Sequence, residues 1–226
     1  MGLAHSPSIV TDGLVLCLDA ANTKSYPGSG TTWTDVSGEG HDGTLTNGPT
    51  FSSDYGGNIV FDGSNDDVTG VHNSELNLRN DLTVECWFRR TGSRGDWVRI
   101  FGKGDSSNRT YGLWYHVNSN YFLYQRYGPG SSMNILFTKS VVLNEWYHIM
   151  GTSSGSTHTL YVNGVNSGTV SNSSTFHSSS DPYKVGYGNI HSTHIGNVSN
   201  CRIYNRGLSE AEVKQNYNAL KGRFGL

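Results

Sequence analysis

Charge is scarce in this chain. Asp, Glu, Lys and Arg make up 15% of its 226 residues, against about 25% in an average soluble domain, and the net charge is −2. No basic cluster exceeds Arg89-Arg90, so the electrostatic footprint of a nucleic-acid partner is missing. No apolar run reaches the roughly 18 residues that cross a bilayer as a helix, which argues against membrane insertion. The opening MGLAHSPSIVTDG lacks the basic start and apolar core of a secretory leader. Synthesis in the cytoplasm without a signal peptide is therefore expected. Cysteine is scarce too. Cys17, Cys86 and Cys201 are odd in number, far apart and each within a predicted strand, so they read as small buried hydrophobes and not as a disulfide or metal framework.

Glycine, at 29 residues, and aromatics, at 12%, are plentiful. That combination speaks for short strands and many turns, and against disorder. One β domain spanning residues 1–226 fits the length, since sandwiches of this size fold as single units. Leu14, Leu16 and Leu18 share one face of the first clear strand. A Gly/Thr/Ser-rich excursion from Asn22 to Phe51 reads as loops with short strand pieces, and Ile59–Phe61 is a strand ended by an Asp62-Gly63 turn. In Asp81–Arg89, Leu82, Val84, Cys86 and Phe88 alternate with Thr83, Glu85 and Trp87, a period of two.

Further strands are expected at Trp97–Phe101, Tyr111–Val117, Tyr121–Tyr127, Asn134–Thr138, Trp146–Thr152, Thr157–Val162, Tyr183–Tyr187 and His194–Tyr204. This spacing suits two antiparallel sheets packed face to face. Asn163-Gly164 between apolar flanks signals a type I′ hairpin turn, in which both central residues take φ > 0. One helix is predicted over 208–222, after an N-terminal arm at 1–11 and the strands. Ser209 and Glu212 form a capping box, and Leu208 and Val213 stand at the staple positions. Val213, Tyr217 and Leu220 share a face to be laid on one end of the sandwich, and Gly222 supplies the stop.

Several blocks resemble laminin-G-like, concanavalin A-like jelly-roll domains. The hairpin EWYHIMGTSSGSTHTLYVNGV over 145–165 resembles their W-x-H … L-Y-V-N-G element. Phe61-Asp62-Gly63 with Asp66-Asp67-Val68, Thr83–Phe88, Ile100–Gly104 and the closing IGNVSNCRIYNRGLSEAEV over 195–213 resemble four more, in order. The resemblance implies an all-β, two-sheet antiparallel jelly-roll sandwich with one short C-terminal helix. The opening and ending segments are similar to those of phage and marine-microbe structural proteins, which implies a virion component.

The fold hosts lectins, protein-binding modules and glycosidases, so the site must decide between them. A glycosidase needs two carboxylates across a cleft. The family's E-x-D-x-x-E signature is absent, Glu85 stands alone in its strand, and Glu210 and Glu212 belong to the helix cap. Gly38–Gly43 spells G-x-G-x-x-G, but no helix follows. His191 and His194 lack a third zinc ligand and read as surface histidines. Calcium at a sandwich rim is implied by the resemblance, and Asp62, Asp66 and Asp67 offer hard oxygen ligands. The competing role is a hairpin turn whose carboxylates cap amides. Asp19, Asn22, Asp35 and Asp42 form a second acidic group, and the sequon at Asn108 means something only in a secretory pathway.

Sugars stack on exposed aromatic rings, and Tyr26, Trp33, Tyr111, Trp114 and Tyr115 are the rings expected to bind glycan, with packing between the sheets as the rival role. The expected function is non-enzymatic recognition of a cell-surface or environmental glycan through rim loops, on a virion decoration or fibre-type adhesin that is extracellular after lysis. The alternatives are a structural decoration bound to capsid or other virion proteins, with a homo-oligomer allowed, and a glycan-cleaving enzyme.

Overall fold

The computed structural model describes residues 7–93, 96–104, 109–128, 131–187 and 193–226. The sequon residue Asn108 and His191 lie outside the described residues. The first strands are β1 (Leu14–Asp19), β2 (Thr32–Trp33), β3 (Gly43–Thr46), β4 (Thr50–Ser52), β5 (Asn58–Asp62) and β6 (Asp67–Gly70). Then come β7 (Leu82–Arg90), β8 (Trp97–Lys103), β9 (Tyr111–His116), β10 (Tyr121–Gly128) and β11 (Ser131–Thr138). The last are β12 (Trp146–Ser154), β13 (Thr157–Val162), β14 (Val165–Ser171), β15 (Tyr183–Val185) and β16 (Ile195–Tyr204), followed by helix α1 (Glu210–Leu220).

These strands form two eight-stranded sheets. One runs β14-β13-β12-β7-β16-β5-β4, with β1 also paired to β16; the other runs β11-β10-β9-β8-β15-β6-β3-β2. Every pairing among them is antiparallel. The layer between the sheets holds Leu16, Leu18, Val84, Cys86, Phe88, Leu113, Phe122, Ile149, Leu160 and Ile203. Cys17, Cys86 and Cys201 are buried and unbridged. The alternation read in β7 therefore puts Leu82, Val84, Cys86 and Phe88 inward, as expected.

The hairpin turn is as predicted: Asn163 has φ 52° and Gly164 φ 73°. It leads into β14, which the sequence reading missed because VNSGTVS is polar and forms an edge strand with little burial. Helix α1 begins with the predicted capping box of Ser209 and Glu212. Its placement differs from expectation. It lies on the outer face of the β7 sheet, not on an end, with Tyr217 stacked on Trp87 at 5.6 Å and Phe224 stacked at 4.3 Å. Val213 joins Val10, Met150, Tyr161, Tyr204 and Leu208 in a second apolar cluster there. Gly222 is not the stop. The chain continues as a 3₁₀ turn over Lys221–Phe224, and Gly225, at φ 75°, supplies the left-handed residue that ends it. No helix among the described residues is long and apolar enough to cross a membrane.

Candidate functional site

One sheet face is buried under α1; the corresponding face of the other sheet, where β8–β11 lie side by side, carries no α-helix among the described residues. Residues directly opposite on neighbouring strands share a face, so the register defines what stands there. One row crosses four strands as Leu136, Leu123, Trp114 and Arg99. A second runs Asn134, Gln125, Gly112, Gly102, and a third runs Tyr121, His116, Trp97. A bulge in β8 between Arg99 and Phe101 keeps Arg99 on this face while Phe101 turns into the core.

The glycines shape the surface. A Cβ on Gly112 would stand 2.7 Å from Trp114 Nε1, and one on Gly102 would stand 2.6 Å from the Tyr111 carbonyl oxygen. Their bare backbone lets the indole of Trp114 lean down and the two strands meet closely. The result is an open pocket of about 280 Å³ lined by Trp97, Arg109, Trp114, Leu123, Gln125, Asn134 and Leu136. Trp114 is itself buried, 3% exposed, with Arg99 Cζ 5.5 Å and Arg109 Cζ 5.4 Å from its ring. Trp97 meets His116 edge to face at 4.6 Å. Across β10 and β11, Gln125 Nε2 donates to Asn134 Oδ1 at 2.8 Å, leaving Gln125 Oε1 without a hydrogen-bond partner in the wall.

Of the five rings proposed for glycan, Trp114 alone lines this pocket. Tyr26, Trp33, Tyr111 and Tyr115 belong to the layer between the sheets, and their role as exposed stacking surfaces is corrected. Tyr111, Leu113 and Tyr115 alternate with Gly112, Trp114 and His116, so β9 sends the tyrosines inward. Their hydroxyls are spent on internal partners: Tyr26 on the Gly30 carbonyl at 2.8 Å, Tyr111 on the Leu76 carbonyl at 3.1 Å and Tyr115 on His194 Nδ1 at 3.1 Å. Burial pushes the Tyr111 and Tyr115 hydroxyls well above the ordinary tyrosine range. His194 is likewise buried against Phe61, Phe88 and Tyr115 and is no surface histidine.

The Asp62–Asp67 turn does not fit a calcium ion. Asp66 Oδ2 accepts from the Asp62 amide at 2.9 Å, Asp62 Oδ1 from the Ser64 amide at 2.7 Å and Asp67 Oδ1 from the Thr69 hydroxyl at 3.1 Å. Burial pushes the Asp66 carboxyl up. No group of three or more His, Cys, Asp or Glu among the described residues is arranged to hold a metal. The second acidic group is also spent: Asp35 accepts from the amides of Cys17, Ser37 and His41, and Asp19 pairs with Arg223 at 2.9 Å. Trp97, Arg109, Gln125 and Asn134 escaped the sequence reading, since four separated segments meet only through sheet register.

Two other open pockets suit a saccharide less well. That at Arg79, Asp81, Asn172 and Phe176 has no Trp or Tyr in its wall. That at Tyr55, Trp146 and Phe224 has rings already turned on one another, Tyr55 edge-on to Trp146 at 5.5 Å and Phe224 against Trp146 at 4.5 Å.

The model of the concanavalin A-like lectin/glucanases superfamily matches residues 62–214. Comparison with curated proteins found no match. Among solved structures, the fold is similar to the binding domain of botulinum neurotoxin DC in complex with SialylT, at a TM-score of 0.74 and 14% identity over 93% of this chain and 52% of that one. It is also similar to the binding domain of Paraclostridial Mosquitocidal Protein 1, at 0.75 and 18% over 92% and 52%, and to Trypanosoma rangeli sialidase, at 0.68 and 18% over 93% and 33%. The chain thus spans about half of each toxin binding domain and a third of the sialidase, and at these identities the likeness is one of fold. With the family match covering more than half of its length, the chain belongs to the concanavalin A-like lectin/glucanases superfamily, and it folds as a two-sheet jelly-roll sandwich.

Proposed function

We propose that this protein is a non-catalytic glycan-binding module whose saccharide lies on the outer face of β8–β11. The observation that carries the reading is the pocket wall itself: Trp97 supplies apolar ring surface backed by the buried Trp114, and Gln125, Asn134 and Arg109 supply hydrogen-bonding groups around it. A mostly apolar pocket with a few convergent polar groups is what small-ligand sites require, and its volume falls just below the roughly 300–1,000 Å³ common among them. No carboxylate is among the described lining residues, so the acid and base pair of a glycosidase has no counterpart here. Glu85 sits beneath α1, ion-paired with Arg202 and hydrogen-bonded to His148. That a binding domain of like fold is found with SialylT adds support for a saccharide ligand.

The setting we propose is a virion surface, on the resemblance of the opening and ending segments to phage structural proteins. The rival, a decoration that only docks on capsid, needs a contiguous apolar patch. Of the exposed apolar side chains, Val71, Leu136 and Val165 stand in separate segments, Val142 adjoins Leu143, and Tyr55 and Leu226 line one pocket. In this reading the saccharide meets a sheet face, where the sequence led to an expectation of rim loops.

The test is retention on a panel of immobilised polysaccharides for the intact chain, Trp97→Ala and Asn134→Ala, each with calcium and with EDTA. We expect at least tenfold weaker binding for Trp97→Ala, about 1.4 kcal/mol, and no effect of EDTA. Equal binding by all three proteins would move the site elsewhere. Loss in EDTA would restore an ion to the Asp62–Asp67 turn, and no binding by the intact chain would refute the reading.

A further inference from the structure

Arg109 is the sole formal charge among the described residues that line the β8–β11 pocket. Its guanidinium is held over two ring faces, 5.4 Å from the centre of Trp114 and 4.8 Å from that of Tyr127. Its Nε is buried and meets no acceptor, and no carboxylate among the described residues forms an ion pair with it. Arg202, Arg206 and Arg223 have carboxylate partners, Glu85 at 3.0 Å, Glu212 and Asp19 at 2.9 Å, while the buried Arg126 is held by the Asn80 and Leu78 carbonyls. Desolvating a charge is costly unless an opposite one repays it. Stacking on Trp114 and Tyr127 repays part of that cost and also fixes the planar donor fork in one orientation.

A fixed guanidinium fork with free donors matches a carboxylate or a sulfate, which it meets with two parallel, charge-assisted hydrogen bonds. Gln125 Oε1, an acceptor without a partner, stands in the same wall and suits a hydroxyl donor. We infer that the ligand of this pocket is an anionic saccharide, its carboxylate or sulfate held by Arg109 and its ring set against Trp97. The inference rests on the glycan-binding reading above and narrows it from saccharides in general to acidic ones.

The experiment uses matched pairs differing only in charge: polygalacturonate against its methyl ester for the carboxylate, and dextran sulfate against dextran for the sulfate. Binding of the intact chain, Arg109→Gln and Arg109→Lys is measured by titration at about 0.15 M salt. The intact chain is expected to bind one or both acidic members at least tenfold more tightly than the neutral partner. Arg109→Gln is expected to lose that preference, by about 10–100-fold, the worth of one charge-assisted contact. Arg109→Lys keeps the charge but not the fork, and should recover only part. Should Arg109→Gln fail to fold, Gln125→Glu replaces it, since a carboxylate there neutralises Arg109 and should weaken acidic ligands alone. Equal binding of acidic and neutral members, or unchanged acidic binding in the Arg109→Gln and Gln125→Glu variants, overturns the inference while leaving a neutral-glycan module intact. No binding to any polymer overturns both.

Discussion

Replacing Glu85 with Gln is expected to destabilise the fold by about 3–5 kcal/mol, the cost of removing one partner from a buried ion pair. The side chain is fully buried between β7 and α1. Its Oε1 accepts from His148 Nε2 at 3.1 Å and Arg202 Nη1 at 3.0 Å, and its Oε2 accepts from Asn216 Nδ2 at 2.8 Å. All three partners donate, so a Gln amide turned either way sets its own N–H₂ against at least one of them. Arg202, itself buried, keeps Asn200 Oδ1 at 3.1 Å and one carboxylate among the described residues, Asp19 at 3.7 Å, which is already shared with Arg223.

Burial alone would raise the Glu85 carboxyl; the Arg202 guanidinium, with His148 and Asn216, outweighs it and holds the group below the usual carboxylate range. A lowered folded-state value means the stabilisation is present above the unfolded carboxyl's pKa near 4.3 and is lost as pH falls through the folded value. At pH 7 the full loss should appear in urea unfolding, and as a fall in Tm of about 6–20 °C for a chain of this size. Asn216 also donates to Tyr204 Oη at 2.9 Å and accepts from the Val10 amide at 2.8 Å, so amide exchange should show α1 loosening before the sheets. The double variant Glu85→Leu with Arg202→Met removes both desolvated charges and should cost less than Glu85→Gln alone. An effect of Glu85→Gln below about 1 kcal/mol, or a double variant worse than the sum of its parts, would refute the reasoning.

Two further outcomes follow from the core. Burial pushes His194 down to about 4, so between the unfolded value near 6.5 and about 4 the unfolded chain binds the extra proton. Stability should therefore fall on acidification across that window by on the order of 1 kcal/mol per pH unit, and His194→Gln should flatten that part of the Tm-against-pH curve; an unchanged slope would contradict it. A Cβ on Gly151 would stand 2.3 Å from Tyr124 Cδ2, while one on Gly222 meets nothing within 4 Å. Urea midpoints should show Gly151→Ala destabilised by about 1–3 kcal/mol and Gly222→Ala within about 0.5 kcal/mol of the parent.

What was legible in the sequence and what was not divide along one physical line. Signals carried by neighbouring residues were read correctly: the period of two in β7, the φ > 0 pair Asn163-Gly164, the capping box at Ser209. The same alternation in β9 already separates Tyr111 and Tyr115 from Trp114, so the burial of the two tyrosines was available from local pattern and was missed by treating aromatics as a class. The pocket was not available in that way. Trp97, Trp114, Gln125 and Asn134 stand in separate strands, and a slip of one residue in any pairing would turn that strand's contribution into the core. The register is set by what lies beneath: Tyr115, Phe122, Tyr124 and Ile135 fill the layer between the sheets, and each outward residue is fixed because its neighbours in sequence are held inward. Arg109 lies just before β9, and its position over Trp114 and Tyr127 depends on the same packing. The recognition face is thus specified by the core residues that alternate with it, so core substitutions in β9 or β10 should disturb ligand binding even where no altered atom touches the pocket.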